Sequence, residues 1–228
     1  MKRIILNEFW NGYHIFEKIY LISMIILQVI VFILSPDTPL NIIAGIAGVI
    51  SVILCAKGKI SFYFVGFIQT IVYLYLSFEQ KFYGEVIENI FYLVTMVLGI
   101  FVWKKNMNEN EDGTKQIVAK KFKVRYWLTS IVMTIVLTLV SGYLLTLIGS
   151  AQAYLDALTN VLAVIAQFLM IAGYREQWVW WLAINIICLI MWLRVGNYSM
   201  VAMYIAWIIN CIYGWINFTK LNNKKCNK

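Results

Sequence analysis

The chain has 228 residues, of which 62% are hydrophobic and 13% charged, and its formal net charge is +8. Soluble domains are about half apolar and about a quarter charged, so the composition excludes a water-soluble fold of this size. It indicates a polytopic membrane protein, and the unbroken apolar runs with only two prolines favour helices over barrel strands.

Eight apolar runs are long enough to cross a bilayer, which needs about 20 helical residues. The first two runs are short, so we expect their helices to extend into flanking residues. All connections are brief except one polar loop. The predicted spans are residues 19–34, 40–56, 60–78, 84–103, 126–148, 156–172, 177–194 and 199–218, and the polar loop is 104–125.

The basic residues predict the orientation of these spans. When alternate loops are assigned to opposite sides, every Lys and Arg falls on one side except Lys81 and Arg194. Because basic residues are enriched in cytoplasmic loops, we place both termini and the long loop in the cytoplasm. The charge of +8 then needs no nucleic acid to explain it.

The chain begins with a mixture of aromatic, acidic and basic side chains. Lys2 and Arg3 faintly resemble the start of a signal peptide, but no small-residue cleavage site follows. We expect residues 1–18 to form an amphipathic helix at the inner interface.

The sequence predicts no metal site and no cofactor. His14 is the single histidine, and the four cysteines form no CxxC pair. We interpret the cysteines as small packing residues.

Residues 60–103 resemble residues 175–218 at an offset of 115 or 116, and the match extends backwards to pair 40–56 with 156–172. Each repeat has three spans, so the single span 126–148 between them would restore a parallel orientation. Matched positions are Phe62 with Trp178, Gln69 with Asn185, Lys59 with Arg175, Tyr83 with Tyr198, and Gly99 with Gly214.

The predicted fold is therefore all-α, with eight spans arranged as two parallel three-helix repeats joined by a linker helix (3+1+3) plus an extra N-terminal helix. The segments are 1–39 (amphipathic stretch and extra span), 40–103 (first repeat), 104–148 (cytoplasmic loop and linker), 156–218 (second repeat) and 219–228 (cytoplasmic tail).

Two side-chain amides, Gln69 and Asn185, lie near the middle of their spans. An amide in hydrocarbon needs hydrogen-bond partners, so each must face protein or a cavity. Substrate sites of repeat-built carriers lie at the bilayer midplane. We expect both amides to face a common cavity.

Trp178, Trp181 and Asn185 are spaced i, i+3 and i+7, which is one face of a helix. Trp181 is favoured as a ligand-stacking residue. For Trp178 an interfacial belt is an equal alternative, and for Trp180, off this face, the belt is preferred.

Further polar residues occur in the fourth, sixth and eighth predicted spans. The alternative for any one of them is a hydrogen bond between helices, which applies most to Asn210. Glu85 also fits a solvated helix start. The candidate substrate-binding residues are Gln69, Glu88, Asn89, Tyr92, Asn160, Gln167, Trp178, Trp181, Asn185 and Tyr204. Such an aromatic and amide surround suits a small, flat, polar solute.

Several of these motifs resemble the Pnu (PnuC) family of bacterial vitamin transporters. The similarity covers roughly residues 40–218 and is strongest at Trp178-x-x-Trp181-x-x-x-Asn185. It also includes Gln167-Phe168-Leu169-Met170, Asp156-Ala157-Leu158-Thr159, Gly66-Phe67-Ile68-Gln69, and Tyr83-Gly84 with Asn89-Ile90-Phe91-Tyr92.

The resemblance implies a SWEET-like fold and facilitated uptake of nicotinamide riboside, a vitamin B3 precursor for NAD biosynthesis, across the bacterial inner membrane. It also implies trapping of the substrate by a cytoplasmic riboside kinase. Similar proteins carry thiamine, riboflavin or deoxynucleosides. Asn160 and Ala163 depart from the family's usual Thr and Ser, which leaves the substrate within the family open.

Two other classes of protein are less consistent with the sequence. An enzyme would need a nucleophile or metal set, and the chain has no HExxH, no Ser/His pair and no phosphate-binding GxxxxGK[ST]. A non-transporting receptor would not need two midplane amides. Proton coupling through Glu88 or Asp156, and assembly into a homo-oligomer, remain open.

Overall fold

The computed structural model describes residues 13–34, 39–81, 83–109, 114–150, 152–196 and 198–226. In these ranges eight helices are long and apolar enough to cross a membrane, so the eight predicted spans are confirmed. The helices are α1 (Ile15–Leu34), α2 (Pro39–Ala56), α3 (Ser61–Glu79), α4 (Tyr83–Lys105), α5 (Val124–Leu147), α6 (Ala153–Ala172), α7 (Gln177–Val195) and α8 (Tyr198–Cys226).

The first helix begins four residues before its predicted start, at Ile15. Residues 15–18 therefore belong to a spanning helix, and the predicted interfacial helix does not extend over them. Glu17, in the first turn of α1, is buried, which an interfacial helix would not require. The rest of that prediction, over residues 1–12, lies outside the described residues.

The long polar loop contains a short antiparallel hairpin, which the sequence analysis did not predict. Strand β1 (Met107–Glu109) pairs with β2 (Lys115–Ile117), and Met107 lies opposite Ile117. The Ile117 amide donates to the Gly58 carbonyl at 2.8 Å, and the Gln116 side chain donates to the Lys57 carbonyl at 3.0 Å. The hairpin is thus hydrogen-bonded to the turn between α2 and α3.

The described helices divide into two compact units, residues 1–118 and residues 119–228. The first unit holds α1 to α4 and the second holds α5 to α8, and within each unit successive helices pack against one another. The predicted linker helix, α5, therefore lies in the second unit and packs against α6. The 3+1+3 arrangement itself stays a prediction.

Glycines allow close approach of the first two helices in each unit. A side chain at Gly45 of α2 would meet Gln28 of α1, and a side chain at Gly142 of α5 would meet Tyr154 of α6. Gln28 therefore packs in the contact between α1 and α2. The rest of α5 is largely exposed and apolar, as a bilayer-facing helix requires.

The α2–α3 turn and the α6–α7 turn use the same backbone device. Gly58 and Gly173 have φ values of 71° and 75°, in a region that residues with a side chain rarely adopt. The Gly58 amide donates to the Cys55 carbonyl at 2.8 Å, and the Gly173 amide donates to Met170 at 3.0 Å. These contacts recur at an offset of 115 residues.

Candidate functional site

Asn185, the midplane amide of α7, is held against α8. Its side chain is 7% exposed, and its Nδ2 donates to the Cys211 Sγ at 3.3 Å. Among the described residues its Oδ1 has no such bond. One half of the amide is therefore fixed by the protein, and the carbonyl half is the part that a ligand could use.

Trp178, two turns before Asn185, is a packing residue between α7 and α8. It is 4% exposed, and its ring lies so close to Gly214 that any side chain there would collide with it. Its ring centroid is 5.6 Å from that of Phe218, edge to face. These contacts account for its burial, and its proposed contact with substrate stays a prediction.

Trp181 lies on the same turn of α7 but has different neighbours. It is half-buried and packs against the apolar cluster of Leu162, Ala166 and Trp180. Part of the Trp181 ring is thus free of protein contacts. Trp180 is 8% exposed and belongs to this core. The expectation that Trp180 forms part of an interfacial belt is therefore wrong.

The first unit repeats the Trp178 contacts 115 residues earlier. Tyr63 of α3 lies against Gly99 of α4, where a side chain would collide with the ring. Its ring centroid is 5.5 Å from that of Trp103, again edge to face. The counterpart of Trp178 is therefore Tyr63, and not Phe62 as the sequence alignment predicted.

The polar contacts near the middle of the helices are also repeated at an offset of 115 residues. Thr70 Oγ1 lies 3.9 Å from Met96 Sδ between α3 and α4, as Asn185 lies against Cys211 between α7 and α8. Each pair joins an oxygen- or nitrogen-bearing side chain to a sulfur atom. Thr70 also donates to the Gly66 carbonyl of its own helix at 2.9 Å.

The predicted equivalence of Gln69 and Asn185 is therefore wrong by one residue. Asn185 corresponds to Thr70, and because one residue turns a helix by about 100°, Gln69 points to a different neighbour. The Gln69 amide packs over Gly48 of α2. Gln69 is half-buried, and its role as a substrate ligand stays a prediction.

Acidic and aromatic residues of α4 form a hydrogen-bonded group. The Tyr92 hydroxyl donates to Glu88 Oε1 at 2.8 Å, and the Asn89 amide donates to the Glu85 carbonyl at 2.8 Å. The Ser77 hydroxyl of α3 donates to Glu85 Oε2 at 3.2 Å. Glu85 is thus hydrogen-bonded to α3. Ser77 was not among the predicted residues, because serine is common in membrane spans and does not stand out in the sequence.

The remaining candidates occupy separate surroundings in the second unit. Asn160 is exposed and Gln167 is 2% exposed, although both lie on α6. Tyr204 of α8 is hydrogen-bonded with Cys188 of α7. Asp156, near the start of α6, accepts a bond of 2.9 Å from Ser150.

The structure also joins α7 to α8 at the start of α7 through Arg175. The guanidinium is bonded to Glu176 at 2.9 Å, donates to the Thr219 hydroxyl at 3.3 Å, and lies 4.6 Å from the centre of the Trp215 ring. From the sequence, Arg175 was matched with Lys59 in the repeat, and none of these contacts was predicted.

A buried ion pair lies at the corresponding end of the first unit. Lys57 Nζ is 2.6 Å from Glu17 Oε2, and both side chains are 7% exposed. Burial lowers the pKa of Lys57, while the hydrogen bond and charge of Glu17 raise it in part. The Lys57 ammonium also lies 3.8 Å from the centre of the Tyr13 ring.

Among the described residues, no group of three or more His, Cys, Asp or Glu side chains could hold a metal ion. The polar side chains described near the middle of the helices, such as Gln69, Thr70, Asn185 and Cys211, are neutral. They can bind and release an uncharged or cationic solute by hydrogen bonds and aromatic contacts.

Comparison with known proteins places this arrangement in a family. A family model described as nicotinamide mononucleotide transporter matches residues 38–220. The nicotinamide riboside transporter PnuC of Haemophilus influenzae is 40% identical over 216 residues, which are 94% of each chain. PnuC of Neisseria mucosa is 36% identical over 94% of this chain and 85% of its own length.

A solved structure has the same fold. The crystal structure of the vitamin B3 transporter PnuC matches with a TM-score of 0.82 and 35% identity, over 95% of this chain and 96% of that one.

Proposed function

The chain belongs to the nicotinamide mononucleotide transporter family, which is a family of membrane transporters and not of enzymes, and we propose that it takes up nicotinamide riboside by facilitated diffusion. The observation that carries the proposal is the 40% identity to a nicotinamide riboside transporter over 94% of both chains. The chemistry of the candidate residues supports it further.

The riboside fits these residues better than the mononucleotide that the family description names. The mononucleotide adds a phosphate, which proteins bind with Arg, Lys or backbone amides. None of the ten candidate substrate-binding residues is Lys, Arg or His. A phosphate dianion among neutral amides would lose its hydration without a compensating charge.

The nicotinamide ring of the riboside is a pyridinium cation. Aromatic faces attract cations by about 0.5–2 kcal/mol, depending on desolvation. Trp181, in the second unit, is half-buried and offers such a face. Glu88, in the first unit, is half-buried and bonded to the Tyr92 hydroxyl, and we keep both as candidate ligands. We expect the ring to stack on Trp181.

The carboxamide and the ribose hydroxyls need groups that both donate and accept hydrogen bonds. We expect the Asn185 Oδ1 to accept from the substrate, because its Nδ2 donates to Cys211. Further polar contacts are proposed for Gln69, Asn89, Asn160, Gln167 and Tyr204, and an aromatic contact for Trp178.

Distribution of charge supports an inner-membrane protein with both termini and residues 104–125 in the cytoplasm. Uptake by a facilitated carrier then becomes unidirectional when a cytoplasmic riboside kinase phosphorylates the substrate. Modification of single cysteines placed in the loop or tail by an impermeant thiol reagent, in intact and in opened cells, tests the orientation.

The experiment for the function is uptake of labelled nicotinamide riboside into liposomes that contain the purified chain. We expect saturable uptake without any ion gradient, and competition by unlabelled riboside but not by the mononucleotide. If uptake required a proton gradient, transport would be proton-coupled and the proposal of facilitated diffusion would be wrong. Preferential transport of thiamine, riboflavin or a deoxynucleoside would overturn the proposed substrate.

A further inference from the structure

An open groove runs between α5 and α6 in the second unit. It has a volume of about 320 Å³. The groove is framed by aromatic and aliphatic side chains, several of them exposed. Its lining residues are Phe122, Tyr126, Thr129, Ser130, Met133, Ile165, Phe168, Leu169 and Tyr174.

The inside of this α5–α6 groove is suited to hydrocarbon. Its two aliphatic hydroxyl groups are already hydrogen-bonded, since Thr129 donates to the Arg125 carbonyl and Ser130 to the Trp127 carbonyl, both at 2.9 Å. The Tyr126 hydroxyl accepts from the Arg125 guanidinium at 3.1 Å. From Tyr126 to Met133 the groove extends about 10 Å along the helix axis. An aliphatic chain could lie there without leaving the Thr129 or Ser130 hydroxyl unpaired.

One end of the groove is strongly basic. Lys120, Lys121, Lys123 and Arg125 fall within six residues, and no acidic residue occurs between positions 114 and 130. The Lys120 Nζ is 5.7 Å from the centre of the Tyr174 ring, and the Arg125 guanidinium is 5.0 Å from that of Tyr126. Both rings line the groove, so the cations lie at its end.

These residues also lie where a phospholipid headgroup would be. Helix α5 begins at Val124, so the basic residues stand at the end of a membrane span while Met133 is inside it. Basic pockets between spanning helices are typical sites for anionic lipid headgroups. A cationic end and an apolar interior match an anionic lipid in both of its parts.

We propose that the α5–α6 groove is a binding site for an anionic phospholipid, with an acyl chain beside Met133 and Phe168 and the phosphate bound by Lys121, Lys123 and their basic neighbours. The site is separate from the candidate substrate residues. The proposal does not depend on which vitamin is transported.

The test measures lipid binding to the full-length purified chain by native mass spectrometry and by thermal unfolding in detergent. We expect phosphatidylglycerol to bind and to raise the Tm, and phosphatidylcholine with the same acyl chains to do neither. Glycerol phosphate, which has the charge but no chain, should not raise the Tm. Equal binding of the two lipids, or an equal effect of glycerol phosphate, would overturn the proposal.

Two variants separate the headgroup from the chain. The double variant Lys121→Gln with Lys123→Gln should weaken phosphatidylglycerol binding about tenfold or more, since each basic residue near the membrane surface adds to the attraction of an anionic headgroup. Met133→Trp should weaken it by filling the groove with no change in charge. Lys104→Gln with Lys105→Gln, and Leu139→Trp on the exposed face of α5, are the matched controls.

Binding of nicotinamide riboside by each variant reports that the chain is still folded. If Met133→Trp bound phosphatidylglycerol as well as Leu139→Trp does, the acyl-chain assignment would be wrong. If a Lys121/Lys123 variant that still bound the riboside also kept full lipid affinity, the headgroup assignment would fail. A protein that changes from oligomer to monomer when Met133 is replaced would instead assign the groove to a second copy of the chain.

Discussion

The Asn185 amide and the Cys211 thiol are joined across α7 and α8 at 3.3 Å. The bond orients the buried amide near the middle of α7 and leaves its carbonyl oxygen for a ligand. Between α3 and α4, Thr70 and Met96 meet at positions 115 residues earlier. The two units thus place a polar group beside a sulfur atom at the same level of their helices.

Replacing Asn185 by Leu removes the proposed hydrogen bond to the substrate. A lost buried hydrogen bond costs about 1–3 kcal/mol, so we expect nicotinamide riboside affinity to fall by about tenfold to a hundredfold. Calorimetric titration of the purified variant measures this. Gln28→Leu, which alters an amide in the α1–α2 contact, should bind the riboside as wild type does. Unchanged affinity in Asn185→Leu would remove this residue from the site.

Trp181→Ala should abolish most riboside binding, whereas Trp181→Phe should retain part of it because a phenyl face still attracts the pyridinium ring. Both variants lose some packing against the Leu162 and Ala166 cluster, so Tm is measured alongside Kd. If Phe and Ala weakened binding equally while their Tm values differed, Trp181 would be a packing residue only.

Cys211→Val should lower both stability and affinity. Valine cannot accept the Asn185 Nδ2 hydrogen, and an unsatisfied buried donor costs about 1–3 kcal/mol. Cys211→Ser keeps an acceptor of similar size and should behave much more like wild type. Thermal unfolding and riboside titration of the two variants measure the difference, and equal results for Ser and Val would show that the thiol only fills space.

Gly214→Ala should destabilise the protein, because the new methyl group would collide with the rigid, buried Trp178 ring. Overpacking of this kind costs about 1–3 kcal/mol, which exceeds the helix propensity gained by replacing glycine. Gly99→Ala should act similarly through Tyr63.

Gly48→Ala is the matched control, because the group it would meet is the Gln69 side chain, which can turn away. Its Tm should fall less than that of the other two variants. If all three alanine variants unfolded at the same temperature, close packing of a ring against Gly99 and Gly214 would not be a shared requirement of the two units.

Removing one partner of the buried Glu17–Lys57 pair should lower the stability strongly, whereas replacing both partners by apolar residues should lower it little. Glu17→Ala leaves Lys57 buried without its carboxylate, which destabilises by about 3–5 kcal/mol. The double variant Glu17→Leu with Lys57→Met removes both charges and should recover most of that stability. A double variant as unstable as the single one would contradict this account.

The pair should also have a pH dependence with a defined sign. The pKa of Lys57 is lowered in the folded state by burial, so between that pKa and its unfolded value the unfolded chain binds more protons. Stability contributed at this position therefore rises as pH rises through that window and is lost as pH falls. The Tm difference between wild type and the double variant, followed from pH 7 upwards, measures it.

Span number, helical class and family could be read from the sequence because they are local properties. An apolar run of sufficient length must form a helix in a bilayer, since each buried backbone group needs a partner within the segment. The eight runs appear as α1 to α8, and the motif around Trp178, Trp181 and Asn185 pointed to the family that comparison established.

The register of the two units was decided only by the tertiary structure. Offsets of 115 and 116 are almost equally good among apolar letters, yet they differ by about 100° around a helix. Contact between Trp178 and Gly214, repeated by Tyr63 and Gly99, selects 115. Likewise Glu17 and Lys57 lie 40 residues apart in sequence, and nothing local in either segment specifies their pairing.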